Sequence, residues 1–222
     1  MNYTKQVREY CEKRANSLVD ISIVRDSVFV DIPYKTLLKI FSRFEDDGIV
    51  HTVSKGLYSV GNKILDGKRV LSQYTNNGRG MVVGYALFNS IGLTVTQEDR
   101  IVIFTNAIAN KQKIIGDFLL KRVDLEFTDE IIDLISLLET IDVGFSMKGA
   151  DYFSYKRTVE LLALAYSDDN FGKVIKAIRY KYSTVLKLSE LLTRLDIEYC
   201  DIIYDVRTRR DKNVQSKQIV YL

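Results

Sequence analysis

Pro33-Tyr34-Lys35-Thr36-Leu37-Leu38-Lys39-Ile40-Phe41-Ser42-Arg43-Phe44-Glu45-Asp46-Asp47-Gly48-Ile49-Val50-His51-Thr52-Val53-Ser54-Lys55-Gly56-Leu57-Tyr58 is the stretch that decides the fold. Pro33 is the only proline of the chain. Its fixed φ and missing N–H suit the first turn of a helix and little else inside one. Asp31 is placed to offer a carboxylate to the free N–H groups there. Leu37, Ile40, Phe41 and Phe44 recur at three- and four-residue steps, which predicts one buried stripe. Lys35, Lys39 and Arg43 are four apart and form a ridge away from it. Gly48 stops the helix. Two short apolar runs then flank Ser54-Lys55-Gly56, the pattern of a tight hairpin.

A helix followed at once by a small hairpin is the reading half of a winged helix-turn-helix. Three cations on a helix face are also compatible with plain solvation; the adjoining hairpin, with Lys55 at its tip, favours a duplex. Tyr34, Lys35 and Thr36 stand at the N-terminal end of the helix, the end that meets base edges in helix-turn-helix docking. The candidate DNA-binding residues are therefore Tyr34, Lys35, Thr36, Lys39, Arg43 and Lys55.

Outward from this stretch, Asn2 to Arg14 and Ser22 to Phe29 read as two preceding helices, with Val7, Tyr10, Cys11, Ile23, Val24 and Phe29 inward. A winged helix-turn-helix is then complete within residues 1–62. Residues 63–222 form a second domain, its first part (63–79) a polar connector with some helix. Lys68, Arg69 and Arg79 make that connector basic, a secondary basic surface or simply a solvated one. Asn76 to Gly80 reads as a loop. Met81 to Ile91 reads as a helix closed by Gly92. Strands are expected at Arg100–Thr105, Lys113–Gly116 and Leu119–Val123. Thr128-Asp129-Glu130-Ile131 opens a long apolar helix. Tyr152–Tyr166, Asn170–Tyr180 and Thr184–Leu195 carry further helical stripes, the first including Phe153, Val159, Leu161, Leu162 and Leu164. Ile202 to Tyr204 is a candidate strand, and Arg207 to Lys212 a basic tail. The expected class is α+β: a winged helix-turn-helix plus a mixed domain with a small sheet and several helices.

The bulk composition limits the function. A net charge of +3 permits nucleic-acid binding without demanding it, so the placement of charges carries that reading. Cys11 and Cys200 fit neither a metal spacing nor a disulfide framework. His51 is the only histidine, which leaves little for Ser/His/Asp or Cys/His chemistry or for a zinc site. No paired carboxylates or phosphate-binding loop occur: Gly144-Phe145-Ser146 with Asp151 lacks the Asp-x-Asp of a nucleotidyltransferase, and Asp168-Asp169 reads as a helix cap. No catalytic residue, metal or cofactor is expected. Neither a signal peptide nor an apolar run of membrane-spanning length is present, so a cytoplasmic protein without membrane contact is expected.

Two stretches resemble the AbiEi-like antitoxins of type IV, abortive-infection toxin–antitoxin pairs. One is Lys39 to Val50 with Lys55-Gly56-Leu57-Tyr58, similar to the family's recognition helix, acidic pair and wing. The other is Gly84-Tyr85-Ala86-Leu87-Phe88-Asn89-Ser90-Ile91-Gly92-Leu93-Thr94-Val95-Thr96-Gln97, followed by a strand ending in Thr105-Asn106. The likeness spans about residues 3 to 195. The chain departs from the pattern at Val60-Gly61 and Glu98-Asp99, where the family has prolines. The resemblance implies an autorepressor binding inverted repeats of double-stranded DNA in its own promoter. It also implies an antitoxin that opposes a nucleotidyltransferase-like toxin without a stable complex. A winged-helix transcription factor with a C-terminal ligand-sensing domain is the alternative.

Overall fold

The computed structural model describes residues 2–61 and 66–199. The class is α+β, with a three-stranded and a four-stranded sheet among the described residues. The chain forms two compact units. The first comprises residues up to Gly80 together with Val102–Arg122; the second comprises Met81–Ile101 and the chain from Val123. The expected boundary near residues 61 to 66 falls instead inside the first unit, and residues 62–65 lie outside those described. Cys200, the candidate strand at Ile202–Tyr204 and the basic tail also lie outside them.

In the first unit the order is α1 (Tyr3–Glu12), β1 (Leu18–Asp20), α2 (Ile21–Ser27), α3 (Tyr34–Asp46), β2 (Val50–Ser54) and β3 (Leu57–Val60). The expected stripe of α3 is its buried face: Leu37, Ile40, Phe41 and Phe44 are almost fully enclosed. At about 1.5–3 kcal/mol for each such side chain, this burial fixes which face of α3 looks outward. Val7, Cys11, Val24, Phe29 and Ile32 complete the core beneath it. Burial pushes the Cys11 thiol up to about 11, so it is a packing residue and a poor nucleophile.

The start of α3 differs from expectation in one detail. Pro33 is its N-cap, but no side chain caps the helix, so Asp31 does not serve the free N–H groups. The end agrees with expectation. Gly48 has φ +72°, its N–H donates to the Glu45 carbonyl, and the Ile49 N–H donates to the Phe44 carbonyl at 2.8 Å. That is a Schellman cap, which turns the chain directly into β2. Glu45 Oε1 then accepts from the Thr52 N–H at 3.0 Å, tying the last turn of α3 to the hairpin. Hydrogen bonds from Thr52, side chain first and backbone second, hold the Glu45 carboxyl below its ordinary range.

The hairpin pairs Val50 with Val60, His51 with Ser59 and Thr52 with Tyr58, and a bulge follows Thr52. A third strand, β1, was not expected. It pairs with β3 in the order β1-β3-β2 and leaves β3 central and buried along its whole length. Only three residues long, β1 shows no alternation for a sequence pattern to catch.

The expected connector is mostly α4 (Gly67–Thr75), capped by Asp66 and burying Val70 and Tyr74. Residues 81–91 divide in two, unlike the single helix expected: β4 (Gly80–Val83) and a short α5 (Tyr85–Ser90). Met81-Val82-Val83 suits a strand better than a helix, and Gly84, at φ +67°, breaks the two apart. β5 (Ile101–Thr105), β6 (Gln112–Ile115) and β7 (Phe118–Arg122) match the expected strands; the sheet order is β4-β5-β7-β6.

The second unit is built on α6 (Asp129–Val143), with Thr128 capping it as expected. Ile131, Leu134, Ile135, Leu137, Leu138 and Ile141 are all buried, because α7 (Tyr152–Ala163), α8 (Asp168–Ala177) and α9 (Tyr182–Arg194) pack around it. In α7 only Val159 and Ala163 are buried. Phe153, Leu161 and Leu164, expected among its stripe residues, are exposed. Among the described residues no helix is long and apolar enough to cross a membrane.

Candidate nucleic-acid interface

Burial of the apolar stripe leaves Lys35, Lys39 and Arg43 exposed on the other side of α3, and Lys55 exposed at the hairpin tip. None of the four makes an ion pair among the described residues. Some other cations of the unit are engaged. Arg8 reaches Asp47 at 3.4 Å with its guanidinium 4.9 Å from the Phe44 ring centre, and Arg25 meets Asp26. Lys5, Lys13 and Lys68 are also exposed without an ion pair among the described residues, but they lie off α3 and the hairpin.

Thr36 is half-buried and Tyr34 is partly exposed. Tyr34 is also the link between helix and hairpin: a Cβ placed on Gly56 would lie 3.6 Å from its hydroxyl. Gly56, at φ +74°, makes the hairpin tip tight enough for that approach. The N-terminal end of α3 is therefore braced against the hairpin.

Beside α3 runs an open groove of about 590 Å³, lined by Thr36, Lys39, Ile40 and Arg43 on one side and by Asn2, Tyr3 and Thr4 on the other. Asn2 caps α1, its side chain accepting from the Lys5 N–H at 3.2 Å. The groove that Lys39 and Arg43 border thus also meets the N-terminal end of α1, and both the cations and the helix dipole suit an anion. Sequence reading did not find Asn2 and Thr4. Asn2 to Arg14 reads as a helix, but nothing in the sequence places its start across from α3.

The secondary basic residues do not form one free surface. Lys68 is exposed, Arg69 pairs with Asp66 at 3.4 Å, and Arg79 is half-buried with Nη1 donating to the Gln73 carbonyl at 3.4 Å. All three belong to the first compact unit.

A buried polar cluster centres on Asp20. Asp20 closes β1, caps α2 by accepting from the Ser22 N–H at 3.0 Å, and is almost wholly enclosed. Its Oδ2 accepts from the Tyr74 hydroxyl and from Lys113 Nζ, each at 2.8 Å. Burial, and next the neighbouring Asp20 charge, push the Tyr74 hydroxyl far above its ordinary range, so it stays a donor. The cluster joins the start of α2 to α4 and to β6. A small cavity of about 180 Å³ lies between Lys113, Tyr34 and Lys55, and Ser54 Oγ on its wall is buried without a partner among the described residues.

In the second unit, the stretch Gly84–Gln97 forms α5, a second Schellman cap at Gly92, and a segment fastened to Lys148. The Lys148 carbonyl accepts from Thr94 Oγ1 at 2.7 Å and from Thr96 Oγ1 at 3.2 Å.

No family model and no curated protein matches the chain. Among solved structures, the crystal structure of the RV2827C protein from Mycobacterium tuberculosis is similar over 87% of this chain and 77% of that one, with 13% identity and a TM-score of 0.35.

Proposed function

We propose that residues 2–61 form a winged helix-turn-helix that binds double-stranded DNA. α3 enters the major groove, and the β2–β3 hairpin lies beside it as the wing. Tyr34 and Thr36 approach base edges, while Lys35, Lys39, Arg43 and Lys55 meet phosphates or guanine edges. The observation that carries the reading is the set of four exposed, ion-pair-free cations on the side of α3 opposite its buried stripe and on the adjoining hairpin tip. The groove between α3 and the start of α1 supports it by offering a phosphate a further seat. The chain is then a transcriptional autorepressor acting on inverted repeats in its own promoter. Following the AbiEi-like resemblance, it is also a non-enzymatic, cytoplasmic antitoxin that opposes a nucleotidyltransferase-like toxin.

The test of the DNA reading is the salt dependence of binding to duplexes carrying the promoter repeats. Each of Lys35→Ala, Lys39→Ala and Lys55→Ala should weaken binding to all sequences alike and lower the log–log salt slope by about one. An unchanged slope in all three rules out this docking face. Co-expression with the neighbouring gene tests the antitoxin reading separately: growth should recover, and continued toxicity would refute it.

A further inference from the structure

Among the described residues nothing covers the outward side of α7. Val159 and Ala163 are 4% and 0% exposed, whereas Phe153, Leu161 and Leu164 are 76%, 58% and 71% exposed. Their neighbours Phe145 and Tyr152 are also more than half exposed, and the Phe145 and Tyr152 rings meet edge to face at 5.6 Å. The helix thus carries an aromatic end and a leucine end, both in water. Scattered apolar side chains on a surface need no explanation, but large ones gathered at both ends of a single helix do.

Phe153, Arg157, Glu160 and Leu164 are spaced by four, three and four residues, which sets them along one seam of the helix. Arg157 is exposed and makes no ion pair among the described residues. Glu160 is half-exposed; it lies 4.0 Å from Lys156 and 3.6 Å from Arg194 of α9, with lone pairs left for another donor. The midpoint between Phe153 and Leu164 along the chain is also the midpoint between Arg157 and Glu160. A twofold axis through that point therefore makes both matches at once. Phe153 meets Leu164 of the other copy, and Arg157 meets its Glu160, each twice. No like charges face each other on this register, as they would if Arg157 lay on the axis.

We infer that α7 is a self-association surface, on which a second copy of this chain docks its own α7 antiparallel about that axis. The occupant is set by self-complementarity: the seam is apolar at both ends and oppositely charged between, in the arrangement an isologous interface requires. The aromatic cluster around Phe145 and Tyr152 then covers the Leu161–Leu164 end of the partner helix. At 12 residues, α7 is only about 18 Å long. The contact is accordingly a reversible, concentration-dependent dimer rather than an obligate one. It stands independently of the DNA reading, although two copies are what inverted repeats call for.

The experiment is sedimentation equilibrium of the full-length protein without DNA, together with directed disulfide trapping. Wild-type protein should show a monomer–dimer equilibrium. Phe153→Glu and Leu164→Glu should each weaken dimerisation by about tenfold or more while leaving the melting temperature of the monomer unchanged, since both side chains are exposed in it. In a Cys200→Ser background, the double variant Phe153→Cys/Leu164→Cys should form covalent dimers under mild oxidation, whereas each single variant should not. Cysteines 11 residues apart on one helix are too distant to close within a chain. A chain that stays monomeric at the highest attainable concentration overturns the inference, whatever else covers α7. So do single variants that cross-link as readily as the double one, because the register would then be wrong.

Discussion

At the scale of single residues, Asp20 is the most constrained group in the first unit. Its carboxylate sits out of water with three donors on it: the Ser22 N–H, the Tyr74 hydroxyl and Lys113 Nζ. Breaking such an arrangement by removing one partner costs more than the arrangement contributes, because the charge left behind has no water. Lys113→Met should therefore lower unfolding free energy by about 3–5 kcal/mol, and Tyr74→Phe by about 1.5–3 kcal/mol, in urea titrations. Asp20→Asn in the Lys113→Met background should recover part of the loss, since the orphaned charge is gone. Asp142 in the second unit offers a pH counterpart. Burial works to raise its carboxyl, but hydrogen bonds from Lys181 and Thr184 and the charges of Lys181 and Lys187 outweigh that, and the net shift is downward. A depressed carboxylate contributes stability that is complete above its unfolded-state range and is lost as pH falls through the folded value. Wild-type stability should thus fall below about pH 4, while Asp142→Asn should be less stable at neutral pH and flatter across that acid window, as measured by urea midpoints. Neither cluster was legible beforehand: an Asp before a helix looks like a cap, and nothing local announces a lysine 93 positions away.

At the scale of elements, two glycines that look alike in sequence do opposite things. Gly48 ends α3 at φ +72° with open space where a Cβ would go. Gly48→Ala therefore costs only the left-handed conformation, about 1–2 kcal/mol. At Gly80, which opens β4, a Cβ would lie 2.2 Å from the Phe104 carbonyl oxygen and 2.5 Å from that of Tyr74, both backbone atoms that cannot swing away. Gly80→Ala should destabilise by about 3 kcal/mol or more, because backbone must move. Thermal melts of the two variants should separate clearly in that order; equal losses would show that the sheet shifts freely at Gly80. The contrast explains what the sequence could disclose about elements. α1, α3, α6 and the strands β5 to β7 carry strong periodicity or β-branched runs, and they were found. A helix stop such as Gly48 is a local signal and was also found. β1 and β4 exist because other strands pair with them, and Gly80 belongs to β4 because its backbone neighbours are distant in sequence. α7 was the reverse case, where a helical period was visible but its apolar members face outward, since periodicity says that a face exists and not what lies against it.

At the scale of the whole molecule, the first unit is discontinuous in sequence. The chain leaves it after Gly80, returns at Val102 and leaves again after Arg122. A boundary set by composition near residues 61 to 66 follows from the motif, whose helices and hairpin do end there; it misses that Asp20, inside the motif, needs Tyr74 and Lys113 from beyond it. That dependence has a direct consequence. A fragment ending at Gly61 retains the four exposed cations and the α3 stripe, yet it loses two of the three donors on Asp20 together with the cover that Tyr74 and Lys113 give it. At several kcal/mol, the loss is comparable with the total stability of a domain that small. Such a fragment should show no cooperative melt by circular dichroism and poor dispersion of its amide resonances, whereas a fragment ending at Arg122 should keep both. Asp20→Asn in the shorter fragment separates charge from lost packing. Restored cooperativity would assign the defect to the unpaired carboxylate; continued disorder would assign it to the apolar cover that Val70, Tyr74 and the following strands provide. A cooperative melt in the unmodified short fragment would show instead that α1 to β3 fold alone, and that the Asp20 cluster only fastens them to the elements that follow.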